Sequence, residues 1–390
     1  MPATIAPPDP RLYVILAEAG FSDDIFNPRQ HRGCELVEQY VLHLAVDLVE
    51  RLGLDGPLAE GRGVDDLLRE RGFAAGFRLP LRWLLERLVA AGLLVREGVA
   101  YRLPRPLPPA ALTELRHEGL ACDPSYAPTY ALLDEAAAVY SRVARGETSG
   151  ERALFQRVAL WCAYFSNANG YYALTNRVAA RVAAARVAGQ GAAVLEVGGG
   201  LGSATEALID ALVERGTLRS ISAYTFTEPV AFFRRRAERG LAALRSGLPF
   251  TFFPLDINEP WPSQGIRPGT LALVWGVNVF HLARDLAGAL HEALASLAPG
   301  GWLVLGEGLR PFPAAPVGAE FPFQILESFV DVALDPETRP MPGFLTAEQW
   351  QRALADAGFE AIEIVPDVVR LRAVHPGFFA ATICGRRPWP

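Results

Sequence analysis

The stretch AAVLEVGGGLGSATEAL, residues 192–208, combines an apolar run, an acid and three alternate glycines. Ala193–Val197 predicts a buried β-strand, and Ser203–Leu212 predicts the helix that follows it. Glycines between them let the backbone turn tightly and approach a ligand closely. A strand, a glycine-rich turn and a helix in this order predict an α/β fold that binds a small molecule at the carboxyl ends of its strands.

The spacing of the glycines excludes two common nucleotide-binding loops. A dinucleotide fingerprint requires G-x-G-x-x-G, but counting from Gly198 or Gly200 places Ser203 or Thr205 at the last position. A P-loop requires a lysine, and all 37 basic residues of this chain are arginine. A Schiff-base lysine is excluded for the same reason. The pattern that remains is acid-x-G-x-G-x-G, beginning at Glu196.

Strands and helices alternate from this stretch to the end of the chain. The later predicted strands are Ser220–Phe226, Phe250–Leu255, Leu271–Trp275, Trp302–Gly306, Ala361–Val365 and Phe378–Cys384. Helical segments between the early strands predict a parallel, doubly wound sheet. The connection before the last strand is too short for a crossover helix, so we expect that strand to be antiparallel. The fold class is therefore α/β, with a Rossmann-like seven-stranded sheet.

The N-terminal half has a different pattern. Residues 1–30 are proline-rich apart from the apolar segment RLYVILAEAG, and we interpret them as an arm. Residues 64–103 predict two helices joined by a turn and then two short strands, which is a winged-helix pattern. The second helix is too apolar for an exposed groove-reading helix, so a dimerisation element is favoured over DNA binding. We predict a winged-helix-like dimerisation domain over 1–110, a helical linker and lid over 111–190, and the α/β domain over 191–390.

Composition limits the partners of the chain. Its 390 residues carry a formal net charge of −6, which argues against nucleic acid as a partner. No apolar run reaches the ~18 residues that a spanning helix needs, so we expect no membrane segment. The four cysteines lie far apart and the six histidines show no ligand-like spacing, which predicts no metal site. Together with the lack of a signal-peptide pattern, this predicts a cytoplasmic protein.

The acid-and-glycine loop resembles the first motif of class I S-adenosylmethionine (SAM) methyltransferases. SAM carries an ammonium, a carboxylate and a sulfonium, so close glycine backbone and a nearby carboxylate suit its methionyl part. The resemblance implies that SAM is the cofactor, held at this loop by Glu196, Gly198, Gly200 and Gly202.

Two further segments strengthen this resemblance. In AYTFTEPVAFF, Glu228 ends the second strand, where the family's acid takes the ribose hydroxyls, a bidentate task suited to a carboxylate. In FFPLDI, Asp256 follows the third strand, where the family's acid meets the adenine amino group. The resemblance also assigns Ile257 and Asn278 to the cofactor site.

A histidine and a glutamate follow the two next strands of the predicted sheet. The segment LVWGVNVFHLARDL, residues 273–286, places His281 at the carboxyl edge of the fourth strand, and Glu307 ends the fifth. Methyl transfer from a sulfonium mainly requires that the enzyme position the acceptor and remove its proton. We therefore predict that His281 is the general base and that Glu307 fixes its tautomer and stabilises the imidazolium.

The catalytic half resembles the C-methyltransferase domains of polyketide synthases, whose histidine–glutamate dyad falls on His281 and Glu307. YTFTE, LDI, NVFHLARDL and APGGWLVLGE appear here in that family's order. The N-terminal half resembles the winged-helix dimerisation domain of small-molecule O-methyltransferases, an element that we expect the polyketide domains to lack. Those O-methyltransferases usually continue the base histidine into Asp-Trp, whereas Leu282 and Ala283 follow here.

These resemblances imply a homodimeric methyltransferase of natural-product biosynthesis acting on a small molecule, free or carrier-bound. The favoured acceptor atom is an acidic carbon, and oxygen is the alternative. Two other classes stay open: a SAM fold recruited for a non-methylating reaction, and a winged-helix DNA-binding regulator. Residues 310–344 are rich in proline and phenylalanine, and their side chains either line an acceptor cavity or pack an interface: Phe312, Phe321, Phe323 and Phe329.

Overall fold

A computed structural model describes residues 9–21, 25–187, 191–244 and 246–390. The chain forms two compact units. The first comprises Pro28–Tyr164 and Ala314–Asp331, and the second comprises Phe165–Pro313, Val332–Pro390 and the described part of Pro7–Asn27. No helix of the described ranges is long and apolar enough to cross a membrane.

The helices, in chain order, are α1 (Pro10–Glu18), α2 (Pro28–Arg51), α3 (Asp55–Glu60), α4 (Val64–Arg71), α5 (Arg78–Ala90), α6 (Leu112–Cys122), α7 (Ala127–Ala144), α8 (Gly150–Leu154), α9 (Val158–Tyr164), α10 (Gly170–Arg186), α11 (Ser203–Glu214), α12 (Ala231–Ala243), α13 (Leu286–Ser296), α14 (Glu327–Val330), α15 (Ala347–Asp356) and α16 (Val368–Val374). The strands are β1 (Arg62–Gly63), β2 (Val95–Glu97), β3 (Ala100–Arg102), β4 (Ala192–Glu196), β5 (Ile221–Thr227), β6 (Phe250–Phe253), β7 (Leu271–Val277), β8 (Leu297–Arg310), β9 (Leu345–Thr346), β10 (Glu360–Val365) and β11 (Ala380–Arg386).

The first unit is mainly helical. Helices α4 and α5 are followed by the β2–β3 hairpin, and β1 completes a small antiparallel sheet in the order β1-β3-β2. The segment Ala314–Asp331 belongs to this unit because its aromatic side chains are buried there. Phe321 stacks on Tyr140 with 4.9 Å between ring centroids, and Trp83 Nε1 donates to Glu320 at 3.3 Å.

The second unit contains the predicted sheet. Its strand order is β10-β11-β8-β7-β4-β5-β6, with the short β9 paired to the end of β8. Strands β4 to β8 pair in parallel, and β11 is antiparallel to both of its neighbours. The α/β class, the seven-stranded sheet and the antiparallel last strand are therefore confirmed. The carboxyl ends of β4, β5, β7 and β8 lie at one edge, where a doubly wound fold binds its ligands.

The apolar piece that we interpreted as an arm is a helix packed on its own chain. Leu12, Ile15 and Leu16 of α1 are buried in the hydrophobic core of the second unit. Arg370 of α16 donates to Glu18 at 2.7 Å. The interpretation of this piece as an arm is wrong, because burying an apolar helix face on the sheet unit removes it from water. Residues 1–8 and 22–24 lie outside the described residues.

Candidate active site

The glycine loop joins β4 to α11 at the ligand-binding edge of the sheet. Gly198 has φ +63° and Gly200 has φ +56°, values that L side chains rarely adopt. A Cβ added at Gly198 would lie 2.4 Å from Val279 Cγ2, whereas one added at Gly200 would meet no heavy atom within 4 Å. Gly202, also at positive φ, is the N-cap of α11. A side chain at Gly198 would therefore clash with Val279, whereas the space beside Gly200 is free of atoms from the described residues.

Glu196 ends β4 and is buried beneath this loop. Its Oε2 accepts hydrogen bonds from Thr205 Oγ1 at 2.5 Å and from Tyr224 OH at 2.6 Å. Burial raises the pKa of the Glu196 carboxyl to about 7, although both hydrogen bonds act to lower it. The carboxylate thus ties β4 to α11 and β5, and its charge is sensitive to pH near neutrality.

Glu228 follows β5 and holds the glycine loop from the other side. Its Oε2 accepts from Gly200 N at 3.1 Å and its Oε1 accepts from Val230 N at 2.8 Å. The side chain is largely buried, which raises its pKa, while the backbone hydrogen bonds lower it. The structure therefore brings Glu196, Glu228 and the glycines to one place, as the sequence predicts for a cationic ligand.

Asp256 follows β6 and is exposed. Its Oδ1 accepts from Asn258 N at 2.9 Å and from Asn258 Nδ2 at 3.1 Å. The side chain of Gln264 fixes its backbone, donating to Asp256 O and accepting from Asp256 N, both at 2.8 Å. Ile257 beside it is half-buried. These contacts hold the Asp256 carboxylate in a defined position while it stays accessible to a ligand.

Asn278 lies immediately after β7 with a left-handed backbone, at φ +54°. Its N donates to Gly306 O at 2.8 Å, which ties it to β8. Its Oδ1 is buried and accepts no hydrogen bond from the part of the chain that the structure describes. A buried acceptor without a donor is costly, so this atom is suited to a ligand donor.

His281 and Glu307 form a buried pair. His281 lies in the short helical turn Phe280–Leu282 after β7, and Glu307 lies in β8, the parallel neighbour of β7. Nδ1 of His281 and Oε2 of Glu307 are 2.6 Å apart, and Glu307 Oε1 accepts from Phe280 N at 3.1 Å. The imidazole is 3% exposed and the carboxylate residue 0%. The carboxylate therefore orients both the ring and the turn that carries it.

Three side chains near these groups were missed by the sequence analysis. The ring of Phe344 packs edge-on against His281, with 4.8 Å between centroids. Burial and the charges of Glu196 and Glu228 raise the pKa of the Tyr172 phenol, which places Tyr172 in the field of both loop acids. Arg339 donates to the backbone of the His281 turn. Arg339 and Phe344 lie in the proline- and phenylalanine-rich segment 310–344, and Tyr172 lies in FSNANGYYALTN, residues 165–176, a segment rich in aromatic and amide side chains.

That amide-rich segment packs against the start of α11. Asn167 Nδ2 donates to Ser203 O at 2.7 Å, and Asn176 Nδ2 donates to Asn167 Oδ1 at 3.0 Å. Ser203 Oγ donates to Phe165 O at 2.5 Å. These contacts join the segment before α10, and α10 itself, to the start of α11 beside the glycine loop.

The phenylalanines after β8 are divided between the units. Phe312 is 56% exposed in the second unit. Phe321 stacks on Tyr140, and Phe323 stacks on Phe329 with 5.8 Å between ring centroids, all within the first unit. These contacts favour packing over a cavity wall for Phe321, Phe323 and Phe329. Across the described ranges, no group of three or more His, Cys, Asp or Glu side chains could hold a metal ion.

Comparison with known proteins gives a consistent result. Residues 167–364 match the family model described as a methyltransferase domain. Fumosorinone synthetase of Cordyceps fumosorosea is 34% identical over 174 residues, which is 44% of this chain and 4% of that protein. Highly reducing polyketide synthase 2 of Gibberella zeae is 32% identical over 176 residues, 44% of this chain and 7% of that protein. The chain thus spans less than a tenth of the length of either relative.

Among solved structures, the CurJ carbon methyltransferase superimposes with a TM-score of 0.79 at 22% identity. The likeness covers 97% of this chain and 96% of the chain in that structure, so it includes the N-terminal half. The expectation that polyketide carbon methyltransferases lack that half is therefore wrong for CurJ. At this identity the likeness shows a shared fold.

Proposed function

The chain belongs to the family of methyltransferase domains, and from this premise we propose that it transfers the methyl group of SAM to an acidic carbon of a small molecule. The observation that carries the proposal is the buried His281–Glu307 pair at the ligand-binding edge of the sheet. SAM supplies an activated methyl group on a sulfonium. The residues of this chain must therefore bind the donor, position the acceptor and remove one proton.

The residues at the sheet edge fit such a donor. The loop at Gly200 is open, Glu228 contributes a carboxylate beside it, and the unpaired Oδ1 of Asn278 can accept from an ammonium. Glu196 adds a carboxyl whose ionised form a nearby cation would stabilise. The exposed carboxylate of Asp256 and the half-buried Ile257 are assigned to the adenine end.

His281 is the proposed general base. With Glu307 on its Nδ1, the imidazole is held as the tautomer whose basic nitrogen is Nε2. When Nε2 takes the proton of the acceptor, the carboxylate stabilises the imidazolium. Burial of both groups strengthens this interaction, because the surroundings are less polar than water.

Carbon is favoured over oxygen as the acceptor atom. Support comes from the relatives, which include a highly reducing polyketide synthase, and from the CurJ carbon methyltransferase, whose fold extends over both halves of this chain. A carbon between two carbonyl groups is acidic enough for an imidazole–carboxylate pair to deprotonate. Dimerisation through the winged-helix-like part, the domain boundaries, a carrier-bound acceptor and a cytoplasmic location stay predictions.

The proposal is tested with trideuteromethyl SAM and a β-ketoacyl thioester, by mass spectrometry of the product and NMR location of the label. The expected result is a trideuteromethyl group on the carbon between the carbonyls. A label on oxygen would favour the O-methyltransferase alternative. Donor binding without any product from a panel of acceptors, together with salt-sensitive DNA binding, would favour the regulator.

A further inference from the structure

The buried side chain of Arg339 donates hydrogen bonds to the turn that carries His281, the proposed base. Arg339 is 3% exposed, and no carboxylate of the described residues forms an ion pair with it within 4 Å. Its Nη1 donates to Ala283 O at 2.5 Å and its Nη2 donates to His281 O. A guanidinium presents its donors in a rigid fork, so two bonds to one turn fix that turn's orientation.

The segment that presents Arg339 is itself well ordered by hydrogen bonds. Asp335 and Arg339 exchange two backbone hydrogen bonds, each of 2.9 Å. Between them, the Asp335 carboxylate accepts from Glu337 N at 2.9 Å and from Thr338 N at 2.7 Å. The guanidinium therefore projects from a closed turn, so little backbone freedom is lost when it binds.

The same segment also donates a hydrogen bond to a third carbonyl of the turn that carries His281. Ala333 N donates to Arg284 O at 2.8 Å, so the segment 333–339 bonds to the carbonyls of His281, Ala283 and Arg284. On its amide side, Arg284 N donates to Asn258 Oδ1 at 2.7 Å. The turn is thus held by the segment 333–339 on one side and by Asn258 on the other. Among the bonds from the segment 333–339, the one from Arg339 to His281 O lies nearest to the imidazole.

Arg339 is a buried cation. Burial lowers the pKa of Arg339 to about 10, and the negative charge of Glu307 opposes that fall while Arg310 reinforces it. The guanidinium therefore stays protonated at neutral pH. Burying a cation without a paired carboxylate is unfavourable, which indicates that this arginine serves the site more than the stability of the fold.

We propose that Arg339 is a positioning residue of the methyl-transfer reaction: it fixes the turn that carries His281 through the carbonyls of His281 and Ala283. This inference rests on the proposed function. Removing the guanidinium frees both carbonyls and should loosen the orientation of the imidazole, so the loss should fall on kcat and leave donor binding unchanged.

The test compares Arg339→Gln, Arg339→Lys and the control Arg370→Gln, which removes an exposed arginine of α16. Donor affinity is measured by calorimetry, and kcat and the KM of the acceptor are measured by steady-state kinetics. For Arg339→Gln we expect kcat to fall about 10–100-fold, with donor affinity and KM unchanged. Arg339→Lys keeps a cationic donor but lacks the planar fork, so it should recover only part of kcat.

Three outcomes overturn the inference: wild-type kcat in Arg339→Gln, a loss of donor affinity that equals the fall in kcat, or no recovery of kcat in Arg339→Lys. If Arg339→Gln does not fold, the charge-keeping Arg339→Lys still decides. There, wild-type kcat would contradict the inference. Inclusion of His281→Ala separates the two claims. A fully active His281→Ala would contradict the proposed function, whereas an inactive one beside a normal Arg339→Gln would contradict only the role of Arg339.

Discussion

Nδ1 of His281 lies 2.6 Å from Oε2 of Glu307, although the two residues are 26 positions apart in the sequence. Adjacent parallel strands bring them together: Val277 of β7 pairs with Gly306 of β8, one residue before Glu307. The second carboxylate oxygen holds the turn that carries the imidazole. One acid therefore holds both the imidazole of the proposed base and the turn that carries it, and it favours the tautomer with its proton on Nδ1.

Replacing Glu307 with glutamine should lower kcat by about 10²–10⁴-fold, because an amide cannot stabilise the imidazolium and can stabilise the wrong tautomer. Donor affinity should stay at the wild-type value, since the acid does not contact the glycine loop in the proposed site. Steady-state kinetics and calorimetry measure the two quantities. Glu348→Gln, an exposed acid of α15, is the matched control. Equal losses of donor affinity and kcat would contradict a purely catalytic role.

Alanine at Gly200 should weaken donor binding by about 10-fold while altering stability little more than alanine at Gly216. Both positions have positive φ and neither added Cβ would meet a heavy atom within 4 Å. The backbone strain, about 1–2 kcal/mol, is thus the same in both variants. Only Gly200 lies at the proposed donor site. Thermal melts and calorimetry of the pair would refute the assignment if both variants bound SAM equally well.

Replacing Glu228 with glutamine should reduce donor affinity by about 10–100-fold, the loss expected for a charge-assisted hydrogen bond. The amide has one acceptor oxygen, so it keeps the bond from Gly200 N only by losing the bond from Val230 N. Thermal melts of the variant check that the fold is retained. Glu238→Gln on the exposed face of α12 controls for the lost charge. Unchanged SAM affinity in the Glu228 variant would show that this acid stabilises the glycine loop and does not bind the donor.

The buried Glu196 should make stability depend on pH. Its folded-state pKa of about 7 lies above the ordinary glutamate value of 4.5, so the folded protein binds the proton more tightly than the unfolded chain does. The contribution of Glu196 to the free energy of unfolding is therefore fully present below pH 4.5 and is lost as pH rises through 7. Between pH 5 and 7, the melting temperature of wild type should fall more steeply than that of Glu196→Gln. Parallel melting curves for the two proteins would contradict the raised pKa.

Donor binding should show the opposite dependence on pH. A cationic donor stabilises the ionised form of Glu196, so SAM affinity should rise as pH increases through 7. Calorimetry at pH 6 and 8, with wild type and Glu196→Gln in parallel, measures this difference. The variant should lose most of the pH dependence.

Much of the sheet could be predicted because its strands are apolar runs separated by helical periodicity. The predicted β4, β5 and β7 begin within one residue of the observed strands. Strand β8 was predicted as Trp302–Gly306 and runs from Leu297 to Arg310. The observed strand is longer than predicted because β7, β9 and β11 pair with different parts of it. The residues of β8 by themselves do not indicate which strands will pair with them.

Contacts between distant parts of the chain also explain why Arg339 could not be predicted. His281 and Glu307 follow predicted strands, so their meeting at one edge could be inferred from topology. Arg339 lies in a proline-rich segment without periodicity, among 37 basic residues that look alike in sequence. Its burial depends on contacts with a turn about 58 positions away. The helix α1 was misinterpreted for a similar reason, since its partner α16 lies at the other end of the chain.

The most direct test of the central claim is His281→Ala in single-turnover methyl transfer from trideuteromethyl SAM, with donor binding measured on the same sample. The base hypothesis predicts SAM affinity equal to that of wild type and a transfer rate lower by about 10²–10⁴-fold. A variant that binds SAM normally and transfers the labelled methyl at the wild-type rate would contradict it.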